Sequence, residues 1–188
     1  GNLKYSLGKK WTWSAGGRLS LYSINAAFDT TTFAYPVAGT SNTHQAINGT
    51  LGIVFNPNTS FQTYFNASSG FRAPNIDDIG KVFDSEPGLV VVPNTRLKPE
   101  YAYNGEIGFV WAVKGKVKLD GAVYYTYLQN AIVRANYLFG GQDSILYEGT
   151  MSVVQAMQNV ADAYVYGFQT GIEWTISKGL SLRSTLNY

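Results

Sequence analysis

From residue 101 onward the chain alternates with a period of two. Tyr101, Tyr103, Gly105, Ile107, Phe109, Trp111 and Val113 fall on one side, and Ala102, Asn104, Glu106, Gly108, Val110 and Ala112 on the other. After Lys114-Gly115 the odd positions Val117, Leu119, Gly121, Val123, Tyr125, Tyr127 and Val133 are mostly apolar, whereas Lys116, Lys118, Asp120, Thr126, Asn130 and Arg134 are polar. This pattern predicts two antiparallel strands over 101–134, joined by a tight glycine turn, with one apolar and one wet face. A strand in a globular protein usually ends after about 5–6 residues, and the alternation here runs far beyond that.

The same rule recurs along the chain. Residues 3–7 read as the end of a strand, followed by the turn Gly8-Lys9-Lys10 and a longer strand over 11–24. Residues 25–43 read as a polar loop containing Asp29 and Pro36, before a strand over 44–55. Asn56-Pro57-Asn58 has turn chemistry, and a strand returns over 59–70. A second long connection, 71–98, holds Pro74, Pro87 and Pro93, which interrupt any continuous ladder. After the central hairpin, 135–158 reads as a third connection, 159–176 as a strand, Ser177-Lys178-Gly179 as a turn and 180–188 as a last strand. Connections therefore alternate between very short and very long, although structureless loops above about 12–15 residues are uncommon in compact soluble domains.

The aromatic residues give these strands a scale. Tyr101 precedes Trp111 by ten positions on one face, and Tyr164 precedes Trp174 by the same ten. Ten tilted strand residues climb about 25 Å, the height of the apolar band on an outer-membrane barrel. Trp11, Trp13, Trp111 and Trp174 all lie within three residues of a short turn, as a girdle at one rim requires. The expected fold is all-β, with about eight long antiparallel up-and-down strands of a transmembrane β-barrel. Tyr101, Phe109, Trp111, Tyr164, Phe168 and Trp174 are expected to face outward, and Asn104, Glu106, Gln169 and Glu173 inward.

Composition agrees with a surface partly turned away from water: 14% of residues are charged, against about 25% in ordinary soluble domains, and 15% are aromatic. No apolar run is long enough for a membrane-spanning helix, which has no bearing on a barrel. The net charge of +2 gives no electrostatic case for nucleic acid. With no cysteine, disulfides and thiolate metal sites are excluded. With His44 as the one histidine, no His-rich metal site or Ser-His-Asp triad can form within the chain, and a position at the rim is expected for it. Asp77-Asp78 reads as a solvated acidic pair. No constellation for catalysis, metal binding or a cofactor emerges. The chain opens at Gly1 without methionine or signal peptide and stops within an alternating run, so it reads as a piece of a longer protein.

Two motifs flank the second long connection: Gly70-Phe71-Arg72-Ala73-Pro74-Asn75, and Asn94-Thr95-Arg96-Leu97-Lys98-Pro99-Glu100 leading into Glu106-Ile107-Gly108. Together they resemble the barrel of TonB-dependent outer-membrane receptors, with Asn94-Thr95 departing from the family's usual Asn-Pro. The runs Asn159-Val160-Ala161 and Gly171-Ile172-Glu173 are similar to the same family. The resemblance implies that 1–188 is part of a single β-barrel domain, with the plug domain and TonB-contacting box outside it. It implies a structural role for Phe71, Arg72, Ala73, Pro74, Asn75, Leu97, Lys98, Pro99, Glu100 and Glu106, with Arg72, Lys98 and Glu100 near the loop-side rim and able to pair there.

The same resemblance implies a place in the bacterial outer membrane and a part in importing a scarce nutrient complex, first of all a ferric siderophore. The partners implied are outer-membrane lipid, the TonB system through parts of the parent protein, and the small nutrient ligand. Arg96, Tyr137, Asp143 and Tyr147 are the loop residues considered for ligand contact. Two other readings stand beside this one: a complete small eight-stranded barrel with a structural or adhesion role, and a soluble β-sandwich binding module. An open arc of strands is also expected to self-associate through its edges at 11–24 and 180–188, or to require detergent.

Overall fold

A computed structural model of the chain describes residues 1–29, 31, 39–113 and 116–188. Pro36 and the Lys114-Gly115 turn lie outside the described residues. In chain order the elements are β1 (Asn2–Leu7), β2 (Trp11–Ala27), β3 (Gly39–Asn58), β4 (Phe61–Arg72), α1 (Ile76–Gly80), β5 (Phe83–Glu86), β6 (Leu89–Val91), β7 (Glu100–Val113), β8 (Val117–Asn136), β9 (Ser144–Tyr147), β10 (Thr150–Ser177) and β11 (Leu180–Asn187). Eight of them, β1, β2, β3, β4, β7, β8, β10 and β11, form one antiparallel meander, each hydrogen-bonded to the next. The three short strands belong to the long connections. Among the described residues β1 does not pair with β11, so the sheet is an open arc rather than a closed eight-stranded barrel, and there is no second sheet to make a sandwich.

Register explains why the sheet has two unlike faces. One line of cross-strand partners runs Tyr5, Trp13, Ile53, Phe65, Ile107, Val123, Phe168. The next line along the strands runs Lys4, Ser14, Gly52, Asn66, Glu106, Tyr124, Gly167. Successive residues point to opposite sides, so the first line builds an apolar face and the second a polar one. Trp111 and Glu106 accordingly stand on opposite faces, as do Trp174 and Glu173.

Among the described residues nothing covers the apolar face. Leu21 is 69% exposed, Ile47 80% and Ile107 53%. The accessible surface of 12,416 Å² compares with about 8,900 Å² for a compact soluble monomer of this mass. Aromatic side chains band the face at two levels. Near the short turns Trp11 stacks on Phe55 with ring centroids 4.2 Å apart and on Trp13 at 6.4 Å, and Phe61 lies 6.3 Å from Phe109. Toward the long connections Phe71, Tyr101, Tyr103, Tyr127 and Tyr164 form a chain of ring contacts 5.2–6.5 Å apart. An apolar belt between two aromatic girdles is the surface that a bilayer solvates.

The expected wall strands are all present, but they are longer than the alternation suggested. β2 continues to Ala27 and β3 begins at Gly39, with Ala27 paired to Gly39, so the polar loop expected over 25–43 is mostly ladder. β4 continues to Arg72. The connection expected over 135–158 dissolves into the end of β8, the hairpin of β9 and the first part of β10, a strand of 28 residues. Above the girdle the outward face of a strand meets water instead of lipid, so the apolar half of the alternation disappears while the backbone ladder goes on. Asn130, with φ +56°, and the shifts between Asn159, Ala161 and Ala163 mark a bulge where β8 and β10 bend above the girdle.

On the polar face, glycines receive tyrosine rings from neighbouring strands. A Cβ at Gly108 would lie 2.6 Å from Tyr64 Cζ and 2.8 Å from the Gly121 carbonyl oxygen, and one at Gly167 would lie 2.6 Å from the Tyr124 hydroxyl. Gly105, on the apolar face, has open space around its Cβ direction. Gly108→Ala is therefore expected to destabilise the folded barrel by about 1–3 kcal/mol through overpacking, while Gly105→Ala leaves it unchanged or slightly more stable. Urea unfolding of the detergent-folded protein, followed by tryptophan fluorescence, separates the two; equal midpoints would refute the packing account.

Candidate functional site

The buried apolar side chains larger than alanine lie at the loop end, where the connections fold back. One cluster comprises Val90, Val92, Val154 and Ala156, with Tyr137, Phe139, Ile145 and Tyr147 packed against it. The other comprises Ile79 of α1, Leu97 and Ile132, with Ile24, Phe28 and Met157 around it. Residues 73–99 thus cross the polar face, reaching β2 at Ile24 and β10 at Met157. Burial of Ile79, at 1% exposed, and Leu97, at 4%, supplies the apolar share of the anchoring.

Polar side chains set the direction of this crossing. Asn75 caps α1: its Oδ1 accepts from Asp78 N–H at 2.8 Å while Asp78 Oδ2 accepts from Asn75 N–H at 3.0 Å. The same Asp78 oxygen takes Arg72 Nη1 at 2.8 Å, and Arg72 Nε donates to Glu100 Oε1 at 2.8 Å. Glu100 Oε2 accepts from Ile132 N–H at 2.9 Å. The guanidinium thus ties the exit of β4, the cap of α1 and the entry of β7. Asp78 is a cap and an ion-pair partner with its side chain 11% exposed, not the solvated acid expected from its place in a loop. Lys98 stays out of the pairing; among the described residues both ion pairs belong to Arg72.

Two asparagines hold the second motif. Asn94, 8% exposed, donates from Nδ2 to Met157 C=O at 2.8 Å and accepts Arg96 N–H at 3.1 Å. Asn159 holds both sides of Lys98, accepting its N–H at 2.8 Å and donating to its carbonyl at 2.9 Å, and also donates to Asn130 C=O at 2.7 Å. Asn42 of β3 donates to Thr95 C=O at 3.3 Å. The Thr95 amide makes none of these bonds, so the departure from Asn-Pro leaves them intact: a proline there would lose no donor that is in use. Sequence reasoning had singled out the run beginning at Asn159 without seeing what its side chain does. Nothing in the sequence marked that role, because the bulge beside Asn159 shows only in the strand pairing.

The ligand-contact candidates fall into two places. Tyr137 and Tyr147 meet at the Val90 cluster, each half-buried. Asp143 stands exposed on the hairpin beside them, its carbonyl accepting from Val154 N–H at 2.8 Å. Arg96 is exposed on the other connection, between Asn94 and Leu97. Phe71, Ala73, Pro74, Pro99 and Glu106 complete the motif positions: Phe71 belongs to the tyrosine girdle, Pro74 is fully buried, and Glu106 lies on the polar face of β7. His44 also faces the polar side, level with that girdle, where the Tyr101 hydroxyl donates to Gln45 C=O at 3.4 Å.

The family model described as "TonB dependent receptor-like, beta-barrel" matches residues 1–188. The chain belongs to that family. TonB-dependent receptors are outer-membrane transporters and not enzymes, so the apolar face meets outer-membrane lipid and the polar face the lumen. The short turns then lie on the periplasmic side and the long connections outside. Lactoferrin-binding protein A of Neisseria meningitidis is 31% identical over 112 residues, which cover 58% of this chain and 11% of the relative. The chain thus spans about a tenth of the length of that relative. Among solved structures, the copper transporter OprC superposes on the whole chain with TM-score 0.73 at 16% identity, using 27% of its own length. The hemophore receptor HasR of Serratia marcescens does so with 0.71 at 15% identity over 32% of its length. The FrpB iron transporter of Neisseria meningitidis gives 0.69 at 15% identity over 24% of its length.

The Arg72–Glu100 junction of this barrel wall carries a pH dependence. Burial raises the Glu100 carboxyl, but hydrogen bonds from Arg72 and from Ile132 N–H, with the guanidinium charge, outweigh it and hold the carboxyl below the ordinary range. A depressed folded-state value means that the pairing stabilises the fold above the unfolded carboxylate value, near 4.3, and that this contribution is lost as pH falls through the lowered value. The protection factor of the Ile132 amide, its exchange rate taken relative to the intrinsic rate at the same pH, is therefore expected to be high at neutral pH and to drop in acid below about pH 4. Glu100→Gln should remove that step; a step surviving in the variant would refute the assignment.

Proposed function

We propose that this chain is wall and loop structure of a receptor that imports a scarce nutrient complex across the outer membrane, an iron chelate such as a ferric siderophore, using energy delivered by the TonB system through other parts of the protein. The observation that carries the reading is the pair of faces: a girdled apolar face suited to lipid, and a polar face across which a pinned connection folds at the loop end. Such an arrangement lines a wet passage and narrows it on the side where cargo arrives. In the motif, Arg72, Pro74, Asn75, Leu97, Lys98 and Glu100 serve to hold that connection in place. Arg96 and Asp143 present exposed charge to a cargo, while Tyr137 and Tyr147 shape the hairpin that carries Asp143. The relative named for binding lactoferrin supports a second reading, in which the loops receive a protein carrier instead of a free chelate.

Uptake in an iron-restricted strain relying on this receptor tests the proposal. Transport of a labelled ferric siderophore is expected to require both the receptor and TonB. Arg96→Ala is expected to weaken cargo binding by about ten- to a hundredfold, as losing one charge-assisted contact does. Unchanged uptake of ferric siderophores after deletion of the receptor would refute the chelate reading, and binding of lactoferrin alone would move the assignment to the second.

The chain by itself is proposed to self-associate or to need detergent, because among the described residues β1 pairs only with β2 and β11 only with β10, leaving an open edge on each. Light scattering of residues 1–188 is expected to show large species without detergent; a stable detergent-free monomer would overturn this.

A further inference from the structure

The net charge of +2 hides a sorting of charge between the two ends of the wall. Asp29, Asp77, Asp78, Asp84, Glu86, Asp143 and Glu148 all lie in the long connections or the short strands within them, against three cations there, Lys81, Arg96 and Lys98. The turns at the opposite end hold no carboxylate. Lys9 and Lys10 lie between β1 and β2, Lys116 between β7 and β8, and Lys178 between β10 and β11. All four are exposed, and neither ion pair among the described residues involves them. In the wall, Glu173 lies on the polar face, with Lys118 and Arg183 as its cross-strand neighbours.

These lysines also stand at a defined depth. Lys10 directly precedes Trp11, Trp111 comes five positions before Lys116, and Trp174 four before Lys178. The tryptophan girdle marks the boundary between hydrocarbon and headgroups, and a lysine stem reaches along apolar surface while its ammonium stays in the polar layer. Resting on the outer-membrane reading above, we propose that the short-turn rim is a docking surface for anionic phospholipid, with the turn lysines binding the headgroup phosphates and the tryptophans packing on the glycerol and upper acyl region. The turns between these strands are too short to carry the ammonium groups beyond the headgroup layer, so the lipid on that side is the anion within reach.

The test uses the intact receptor in nanodiscs of equal phosphatidylglycerol and phosphatidylcholine, with the lipids retained by the protein counted by native mass spectrometry. Phosphatidylglycerol is expected to be enriched around the wild type and to lose that enrichment at high salt. In K9Q/K10Q/K116Q/K178Q the enrichment should fall at least about fivefold, and in K9R/K10R/K116R/K178R it should persist. Equal enrichment in the wild type and the glutamine variant, both running as folded barrels on unheated gels, overturns the proposal and leaves the membrane reading standing. Should the glutamine variant not fold, the wild type decides alone: a lipid preference insensitive to salt overturns it. A receptor that enters no bilayer would overturn both.

Discussion

A backbone amide facing hydrocarbon has no water to bond, so every donor and acceptor at membrane depth must find its partner in the next strand. The length of the strands follows from this. It forbids proline and irregular backbone inside the belt, and the prolines between β4 and β7 gather in the connection at the loop end, leaving the ladders of the wall intact. It also makes register the decisive variable, because a slip of one residue would turn the line from Trp13 to Phe168 into the lumen and bring Glu106 to the lipid. The glycines at 108 and 167 belong to the same constraint. They let Tyr64 and Tyr124 lie across neighbouring strands on the wet side without parting the ladders.

Above the belt water returns, and the means of holding the chain change. The connection over 73–99 is fixed by a few committed side chains: Arg72 between two carboxylates, Asn94 on β10, and Asn159 gripping both sides of Lys98. Each asparagine meets backbone groups that would otherwise be orphaned beneath a folded loop, where an unmade hydrogen bond costs about 1–3 kcal/mol. Apolar burial at Ile79 and Leu97 adds the non-directional part, and the amides choose which of the packings is kept.

The wall strands were legible because a face in lipid must be predominantly apolar, which writes a period of two into the sequence. Both the girdle from Tyr101 to Tyr164 and the inward position of Glu173 followed from that periodicity. The upper ends of β2, β3 and β10 were illegible for the converse reason: Asn25, Thr43 and Gln155 are polar ladder residues above the lipid, and nothing in their side chains records the pairing. The motifs were visible as words, and Arg72 could be matched with Glu100. The third partner, Asp78, could not be foreseen, because it depends on a one-turn helix whose five residues carry too little periodicity to be read.

One feature of the topology bears on how such receptors can be recombined. β6 lies parallel to β10, with Leu89, Val90 and Val91 beside Val153, Val154 and Gln155, so a connection leaving the sheet at β4 rejoins it three wall strands further on. A segment with two such moorings is not an exchangeable appendage. Transplanting 73–99 into another barrel would bring Val90 and Asn94 without the stretch of β10 that receives them. The smallest piece of chain that keeps these moorings intact is therefore discontinuous: 73–99 together with 150–159, two stretches far apart in sequence that pack as one unit.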